Sequence, residues 1–182
     1  MRVIAGSKRG KKLAVFPGDA VRPTSDRVRE NIFNIISPYI SDAVVLDLFA
    51  GTGAFSVEAL SRGAKECILC DMSPSSIQLV RKNLDMTDLI AQANVITTEA
   101  LQYLANTEGQ FDIIFLDPPY NTDLLAKALG RIAARPILRD GGIVVCEHDA
   151  TDEPGEHDRL ELKKSRKYGR TIIDIYAMKQ LD

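Results

Sequence analysis

Acidic residues follow four short runs in this sequence that have the length and composition of β-strands. These acids are Asp47, Asp71, Glu99 and Asp117. Open α/β sheets bind their ligands outside the carboxyl ends of the strands, so we expect the four side chains at one ligand site. Carboxylates accept hydrogen bonds, so the pattern favours a ligand that carries hydroxyl or amino donors.

The last of these acids belongs to FDIIFLDPPY, residues 111–120. Prolines have a fixed φ and push the preceding residue towards extended backbone, so Asp117 and Pro118 are both held extended. The carboxylate of Asp117 and the carbonyl of Pro118 are then two acceptors on a rigid loop, and Tyr120 can stack on a flat ligand. We therefore predict that residues 117–120, Asp117, Pro118, Pro119 and Tyr120, contact the ligand. The alternative interpretation is an ordinary turn at the end of a strand.

The segment DLFAGTG begins with the first of the four acids. Gly51 and Gly53 permit a tight turn with positive φ, and the helix that follows presents free N–H groups. A dinucleotide-binding loop would have a third glycine where this chain has Ser56. Asp47 also lies where a pyrophosphate would need space, and it suits a ligand with a positively charged end, such as an amino group.

Asp71 and Glu99 extend this site. Asp71 comes twenty residues after Gly51, a spacing at which a carboxylate can accept both hydroxyls of a ribose. Glu99 could accept from the exocyclic amine of adenine. Each could instead be an acid at the start of a helix, beside Ser73 in the case of Asp71. A ligand with adenine, a ribose and a charged amino-acid end is S-adenosylmethionine.

The order of the predicted elements indicates an α/β fold. A helix capped by Thr24 or Ser25 ends before Pro38, and short apolar strands then alternate with helices from residue 43. This alternation predicts a mostly parallel sheet with helices on both faces. Two strands around KYG predict a terminal antiparallel hairpin, and SKRGKK predicts the tip of an N-terminal β-hairpin. We divide the chain into a basic extension, 1–36, and a catalytic domain, 37–182.

Composition excludes several other classes of protein. The chain is 45% hydrophobic and 26% charged, as in globular domains, and it has neither a run of membrane-spanning length nor a signal-peptide core. We expect a soluble, cytoplasmic monomer without a metal. Cys67 and Cys70 lie three apart on a predicted strand and face opposite sides, so they cannot share a metal. Cys146 is expected in the core, and His148 and His157 at or near the surface.

Several segments resemble known methyltransferases. VLDLFAGTGAFSVEAL with Asp71 resembles the cofactor half of the class I S-adenosylmethionine-dependent methyltransferases, and LDPPY resembles the catalytic motif of those that methylate exocyclic amines of nucleobases. RVIAGSKRGKKL, RPTSDRVRENIFNII and RKYGRTIIDIY resemble the RsmD family, bacterial enzymes that methylate the N2 amine of a guanine in 16S ribosomal RNA. The resemblance extends from residue 1 to about residue 178, although the family commonly has aspartate where this chain has Glu99.

The resemblance implies a Rossmann-like class I methyltransferase fold with a seven-stranded sheet, S-adenosylmethionine as cofactor, and 16S ribosomal RNA, in a small-subunit assembly particle, as partner. It implies that the catalytic residues are Asp117, Pro118, Pro119 and Tyr120. It also implies that the cofactor-binding residues are Asp47, Phe49, Ala50, Gly51, Gly53, Asp71, Met72, Glu99, Ala100, Asp117, Arg27 and Asn31.

The distribution of charge favours a polyanionic partner. Residues 1–31 contain eight basic and three acidic residues, although the whole chain has a net charge of −2, and a second basic cluster occupies 163–170. The alternative is a solvated tail and an exposed turn. The residues predicted to bind RNA are Lys8, Arg9, Lys11, Lys12, Arg22, Lys164, Arg166, Lys167 and Arg170, with Lys163 as a further candidate.

Three other functions are weighed against this one. A DNA adenine-N6 methyltransferase would use the same DPPY motif, but it usually needs a sequence-reading domain, for which this chain has little room. A nicotinamide oxidoreductase is disfavoured by Ser56 and Asp47. A catalytically inactive nucleic-acid-binding module is disfavoured by the intact DPPY motif.

Overall fold

The computed structural model describes residues 1–18 and 25–180. It contains one seven-stranded sheet, with strands β1 Val44–Asp47, β2 Glu66–Asp71, β3 Ala93–Thr97, β4 Phe111–Leu116, β5 Leu138–Asp149, β6 Leu160–Tyr168 and β7 Thr171–Met178. The helices are α1 Asp26–Ile35, α2 Ala54–Ser61, α3 Pro74–Met86, α4 Ala100–Asn106 and α5 Leu124–Ala134. Two short 3₁₀ helices occupy Ser37–Tyr39 and Ile90–Gln92.

The strands are ordered β3-β2-β1-β4-β5-β7-β6. Strands β1 to β5 are mutually parallel, whereas β7 runs antiparallel to both β5 and β6. The predicted mostly parallel sheet with a terminal antiparallel hairpin is therefore confirmed. The chain leaves β1 in one direction to form β2 and β3, then returns to form β4 on the other side of β1. This reversal creates the crevice in which such sheets bind ligands.

Helices cover both faces of the sheet. Apolar side chains of α1, α2 and α3 belong to one core cluster, and those of α4 and α5 belong to the other. Cys67 lies in the first cluster and Cys70 in the second, as their spacing on β2 predicts. Both thiols are fully buried and make no disulfide.

Sequence signals determine where two helices begin. The hydroxyl of Ser25 accepts from the N–H of Val28, 3.2 Å away, and caps α1. Ser73 caps α3, and Pro74 occupies the first helical position, where a missing N–H has no cost.

The N-terminal arm, residues 1–18, packs along α2 and α3. Its two segments form the predicted hairpin, with one antiparallel bridge between Arg2 and Lys12 and backbone hydrogen bonds from Val3 to Lys11 and from Leu13 to Met1, at 2.9 and 3.1 Å. The N–H groups of Ile4 and Ala5 donate to the buried carboxylate of Glu58 on α2, at 2.8 and 3.0 Å. Glu58 thus satisfies two backbone donors beyond the hairpin pairing and fixes the arm to α2.

The arm shares a core with the rest of the chain. Val3 and Leu13 are buried in the same cluster as Phe33 of α1 and Phe115 of β4, whose ring centroids are 5.8 Å apart. Residues on both sides of the predicted boundary between 36 and 37 therefore contribute to one core, and the division into 1–36 and 37–182 stays a prediction. Among the described residues, no helix is both long and apolar enough to cross a membrane.

We predict that Gly6→Ala destabilises the fold more than Gly10→Ala. Both glycines have positive φ, +82° and +84°, which costs an alanine about 1–2 kcal/mol. A Cβ at Gly6 would also lie 1.8 Å from the carbonyl oxygen of Ser61, whereas at Gly10 it would meet nothing within 4 Å. Overpacking should add about 1–3 kcal/mol at Gly6 alone. Urea unfolding measures both costs, and equal costs would contradict the packing of the arm on α2.

Candidate active site

Two of the predicted carboxylates lie at the crevice formed by β1 and β4. Asp47 is the last residue of β1, and Asp117 directly follows β4. The two strands pair in register, with Asp47 opposite Phe115, and the N–H of Leu48 donates to the carbonyl of Phe115 at 3.2 Å. The parallel pairing places both acids at the carboxyl ends of adjacent strands, as predicted.

Asp71 holds the glycine loop that follows β1. Its Oδ2 accepts from the N–H of Gly51 at 3.0 Å, and its Oδ1 accepts from the N–H of Ser73 at 2.9 Å. Gly51 and Gly53 have φ values of 55° and 78°, the left-handed conformation that favours glycine. The acid at the end of β2 thus fixes both the loop after β1 and the start of α3, and each carboxylate oxygen retains a second lone pair.

Asn83 also supports this loop, and the sequence analysis did not identify it. The side chain is fully buried on α3, and its Nδ2 donates to the carbonyls of Thr52 and Ala14 at 2.8 and 3.0 Å. Its Oδ1 accepts from the N–H of Ala14 at 2.7 Å. A polar residue among apolar helix positions was the available signal, but its partners are 31 and 69 residues away in the chain.

Asp47 lies in a nearly water-free position. The residue is 2% exposed, and its Oδ2 accepts from the hydroxyl of Ser56 at 2.9 Å. Burial raises its pKa to about 7, the Ser56 hydrogen bond opposes this rise, and the negative charge of Asp71 adds to it. A cationic group placed beside Asp47 would be stabilised by the ionised carboxylate.

The remaining residues predicted for the cofactor differ in exposure. Met72 follows Asp71 and is 72% exposed, unusual for a large apolar side chain, so a ligand can cover it. Glu99 is exposed at the N-cap of α4, and its side chain makes no capping hydrogen bond. Ala100 is buried, and Phe49 is partly buried against the core on the α4 and α5 side.

The DPPY loop is held by contacts beyond its prolines. Asn121 has a φ of 58°, a conformation that asparagine tolerates better than most residues, and its N–H donates to Asp152 Oδ1 at 2.8 Å. The hydroxyl of Thr122 donates to the carbonyl of Pro119 at 2.8 Å. Pro118 is buried, while Pro119 and Tyr120 are exposed. The loop thus presents the Tyr120 ring in a fixed direction.

A cavity of about 840 Å³ adjoins this loop. It lies between α1, the DPPY loop and the β6–β7 turn, and its volume is ample for a nucleobase. The described residues that line it are Ser25, Arg27, Val28, Asn31, Tyr120, Asn121, Glu147, Asp149, Tyr168, Gly169, Arg170 and Thr171. Arg27 and Asn31 thus lie with Tyr120, and the other residues predicted for the cofactor are absent from this lining.

Negative charge is concentrated beside the catalytic loop. Burial of its carboxylate, together with the charges of Glu147 and Asp47, raises the pKa of Asp117 well above its ordinary value. Burial and the charge of Glu147 raise the pKa of Tyr120 to about 12. The phenol of Tyr120 donates to Glu147 Oε1 across 3.5 Å. Such a site favours ligands that bring positive charge or N–H donors.

A family model described as "Conserved hypothetical protein 95" matches residues 1–177. The chain belongs to this family. It is 42% identical to "Putative rRNA methyltransferase YlbH" of Bacillus subtilis over 97% of this chain and 98% of the relative. It is 38% identical to "Ribosomal RNA small subunit methyltransferase D" of Escherichia coli K12 over 97% and 89%. The predicted membership of the RsmD family is confirmed.

The fold of this RsmD-family chain is also that of solved structures. "Putative methyltransferase yhhF from Escherichia coli" superposes with a TM-score of 0.88 at 34% identity, covering 98% of both chains. The predicted Rossmann-like methyltransferase fold is therefore confirmed.

The two basic clusters occupy different positions relative to the cavity of this family member. Lys8 and Lys11, on the N-terminal arm, approach Asp88 at 3.7 and 2.7 Å. The arm turns beside Ser61 at the C-terminal end of α2, and that end lies away from the glycine loop. Lys8, Arg9, Lys11 and Lys12 therefore do not lie with Tyr120, and Arg22 is outside the described residues.

The second basic cluster is part of the terminal hairpin. Arg170 lines the cavity, and its Nε lies 3.1 Å from Asp149 Oδ2. Lys163, Lys164, Arg166 and Lys167 lie on β6, the strand at the edge of the sheet. This cluster continues outward from the cavity, so one polyanion could contact both. Within the described part of the chain, no three His, Cys, Asp or Glu residues are grouped to hold a metal.

The prediction for His148 was wrong, because the residue is only 3% exposed. Strand β5 lies between β4 and β7. The Nε2 of His148 is hydrogen-bonded to Oδ2 of Asp174 on β7, 3.0 Å away. Burial lowers the pKa of His148, but hydrogen bonds to Asp174 and Asp149 outweigh it, and the pKa is raised. Burial alone would raise the pKa of Asp174, but hydrogen bonds, first from His148, lower it.

We predict that Asp174→Asn costs more stability at about pH 5.5 than at about pH 8.5. A raised histidine pKa stabilises the fold fully below the ordinary value of 6.5, and this contribution is lost as the pH rises through the folded-state pKa. The lowered pKa of Asp174 stabilises the fold above 3.8 and stops doing so as the pH falls further. Urea unfolding at both pH values measures the difference. Asp85→Asn, on the exposed end of α3, is the control, and equal costs at both pH values would refute the ion pair.

Proposed function

We propose that this protein transfers a methyl group from S-adenosylmethionine to the exocyclic N2 amine of a guanine in 16S ribosomal RNA. The observation that carries this proposal is the position of Asp117, at the reversal of strand order and beside a cavity that is lined by Tyr120 and large enough for a nucleobase. The names of the relatives support the class of reaction and substrate, since both name an rRNA methyltransferase and that of the Escherichia coli relative specifies the small subunit.

The residues around the glycine loop fit S-adenosylmethionine. Asp47 would hold the ammonium group, and the outer lone pairs of Asp71 would accept the ribose hydroxyls. Glu99 would accept from the adenine amine while Met72, otherwise exposed, packs on the ring. When bound, this cofactor supplies an electrophilic methyl group on a positively charged sulfur.

The target base would lie against Tyr120. A base separated from its RNA neighbours regains stacking on the phenol ring. The carboxylate of Asp117 and the carbonyl of Pro118 would each accept one hydrogen of the amine, so that its lone pair points at the methyl group. The main contribution to rate is positioning, together with acceptors that favour the amine as it becomes tetrahedral. Asp117, with its raised pKa, can also take the proton that the methylated amine releases.

RNA would reach the cavity along the terminal hairpin. Arg27 and Arg170 at the cavity rim, and the lysines of β6, would contact phosphates, so affinity should fall steeply with salt. The arm residues Lys8, Arg9, Lys11 and Lys12, with Arg22, would contact a more distant part of the RNA. An assembling small subunit offers such an extended surface. We propose that the protein acts there as a monomer in the cytoplasm, without a metal.

We predict that Asp117→Asn lowers methyl transfer by on the order of a hundredfold or more, because it removes a charged acceptor from the reacting amine. The measurement is transfer of labelled methyl groups to naked 16S ribosomal RNA and to small-subunit particles, followed by nucleoside analysis. Double-stranded DNA as acceptor tests the adenine-N6 alternative.

The matched control for this substitution is Asp85→Asn, which changes an exposed carboxylate on α3. It should leave transfer unchanged. Full activity of Asp117→Asn would remove Asp117 from the mechanism, and the absence of N2-methylguanosine from the wild-type product would overturn the proposed reaction.

We predict that the affinity for S-adenosylmethionine falls below pH about 7, because a cationic ligand binds the ionised form of Asp47. The dissociation constant should rise by up to about tenfold per pH unit. Ser56→Ala removes the hydrogen bond that opposes the raised pKa, so in this variant the loss should begin at higher pH. Calorimetric titration across pH measures both curves. Ser41→Ala is the control, and coincident curves for Ser56→Ala and wild type would contradict the role of Asp47.

A further inference from the structure

Glu147 is an acidic cavity residue to which the sequence analysis gave no role. It lies near the end of β5, where Cys146 pairs with Leu116 of β4, so that Glu147 and Asp117 are the next residues on adjacent strands. Neighbouring strands are about 4.8 Å apart, and aligned residues on parallel strands point to the same side. Glu147 is 6% exposed, lines the cavity and accepts a hydrogen bond from the phenol of Tyr120.

The other acid of the cavity, Asp149, has a structural role. Its Oδ1 accepts from the N–H and hydroxyl of Thr151 at 3.0 and 2.8 Å, and Arg170 lies against both of its oxygens. These contacts hold the loop after β5 and the β6–β7 turn. The contact of Glu147 described above is of a different kind, since it joins the carboxylate to the aromatic ring proposed to stack on the base.

A carboxylate in this position distinguishes between purines. The Watson–Crick edge of guanine presents two neighbouring donors, the N1–H and the N2 amine. A purine with an unprotonated N1, such as adenine or 2,6-diaminopurine, presents a lone pair there instead. A buried carboxylate accepts strongly from an N–H and is repelled by a lone pair, so it discriminates between these two kinds of base.

We propose that Glu147 is a specificity-determining residue whose carboxylate accepts the N1–H of the target guanine while Asp117 and the Pro118 carbonyl hold the N2 amine. This inference rests on the proposed function and deepens it. The two carboxylates occupy neighbouring strand ends as N1 and N2 occupy neighbouring positions on the base. Tyr120 would orient the carboxylate from the side and stack on the same base.

The test replaces the target guanosine of 16S ribosomal RNA, once the wild-type enzyme has identified it, with 2,6-diaminopurine riboside by splinted ligation. This base keeps the N2 amine but has no N1–H. The RNA is used naked or reconstituted with small-subunit proteins, whichever the enzyme accepts. Wild-type enzyme should methylate guanine about tenfold to a hundredfold faster than diaminopurine.

Glu147→Gln should bring this ratio close to one, because the amide can donate to an unprotonated N1 as well as accept from an N1–H. Glu147→Asp retains the charge and should keep the preference for guanine at a lower rate. Tyr120→Phe removes the hydrogen bond to Glu147 but keeps the ring, so it separates orientation of the carboxylate from recognition of the base. Glu66→Gln, at the opposite end of the sheet, should leave both rates unchanged.

A Glu147→Gln variant that slows both substrates equally would show a structural role and overturn the inference while leaving the proposed function intact. An equal rate for the two bases with wild-type enzyme would overturn it without any variant, even if Glu147→Gln did not fold. Wild-type enzyme that failed to methylate guanine in either RNA form would overturn both proposals.

Discussion

The pairing of β1 with β4 is the constraint on which the candidate site depends. These strands are separated by 63 residues of chain, from Asp47 to Phe111, and lie side by side because the chain reverses direction in the sheet between them. Their alignment brings Asp47 and Asp117 together at the carboxyl ends of the two strands. Each acid is costly to keep ionised where it lies, and the raised pKa values of both record that cost. Binding of a cation and ionisation of these carboxylates must therefore be coupled, since each favours the other.

Much of the secondary structure can be predicted from the sequence because the signals for it are local. Ser73 and Pro74, for example, are a capping residue and a first-turn proline at the start of α3, Pro74–Met86. The DPPY and glycine loops were found for the same reason, since their chemistry lies within a few consecutive residues. The attachment of the N-terminal hairpin to α2 shows the limit of such signals. The β-prone residues of the hairpin were recognised, but the carboxylate of Glu58 that accepts from the N–H groups of two of them is more than fifty residues away.

The residues that sequence reasoning missed owe their roles to distant partners. Glu147 and His148 are consecutive on β5, yet one lines a cavity and the other pairs with Asp174. The segment GGIVVCEHD does not show which of the two acquires which role, because the partner of His148 lies on β7, which pairs with β5 on the side away from β4. Asn83 is a similar case, since its partners lie in the glycine loop and the N-terminal arm. Only the packed fold brings these groups together.

The position of β6 at the edge of the sheet gives its positive charges a second consequence. An edge strand exposes unpaired backbone groups that can recruit a strand from another molecule, and lysines along the edge prevent this by mutual repulsion. Lys163, Lys164, Arg166 and Lys167 place positive charges along this edge and would oppose the pairing of two copies there. Replacing them with alanine would remove this repulsion between copies together with any contacts that they make with RNA. Replacement with glutamate preserves repulsion between copies and is the sounder way to study the hairpin in solution.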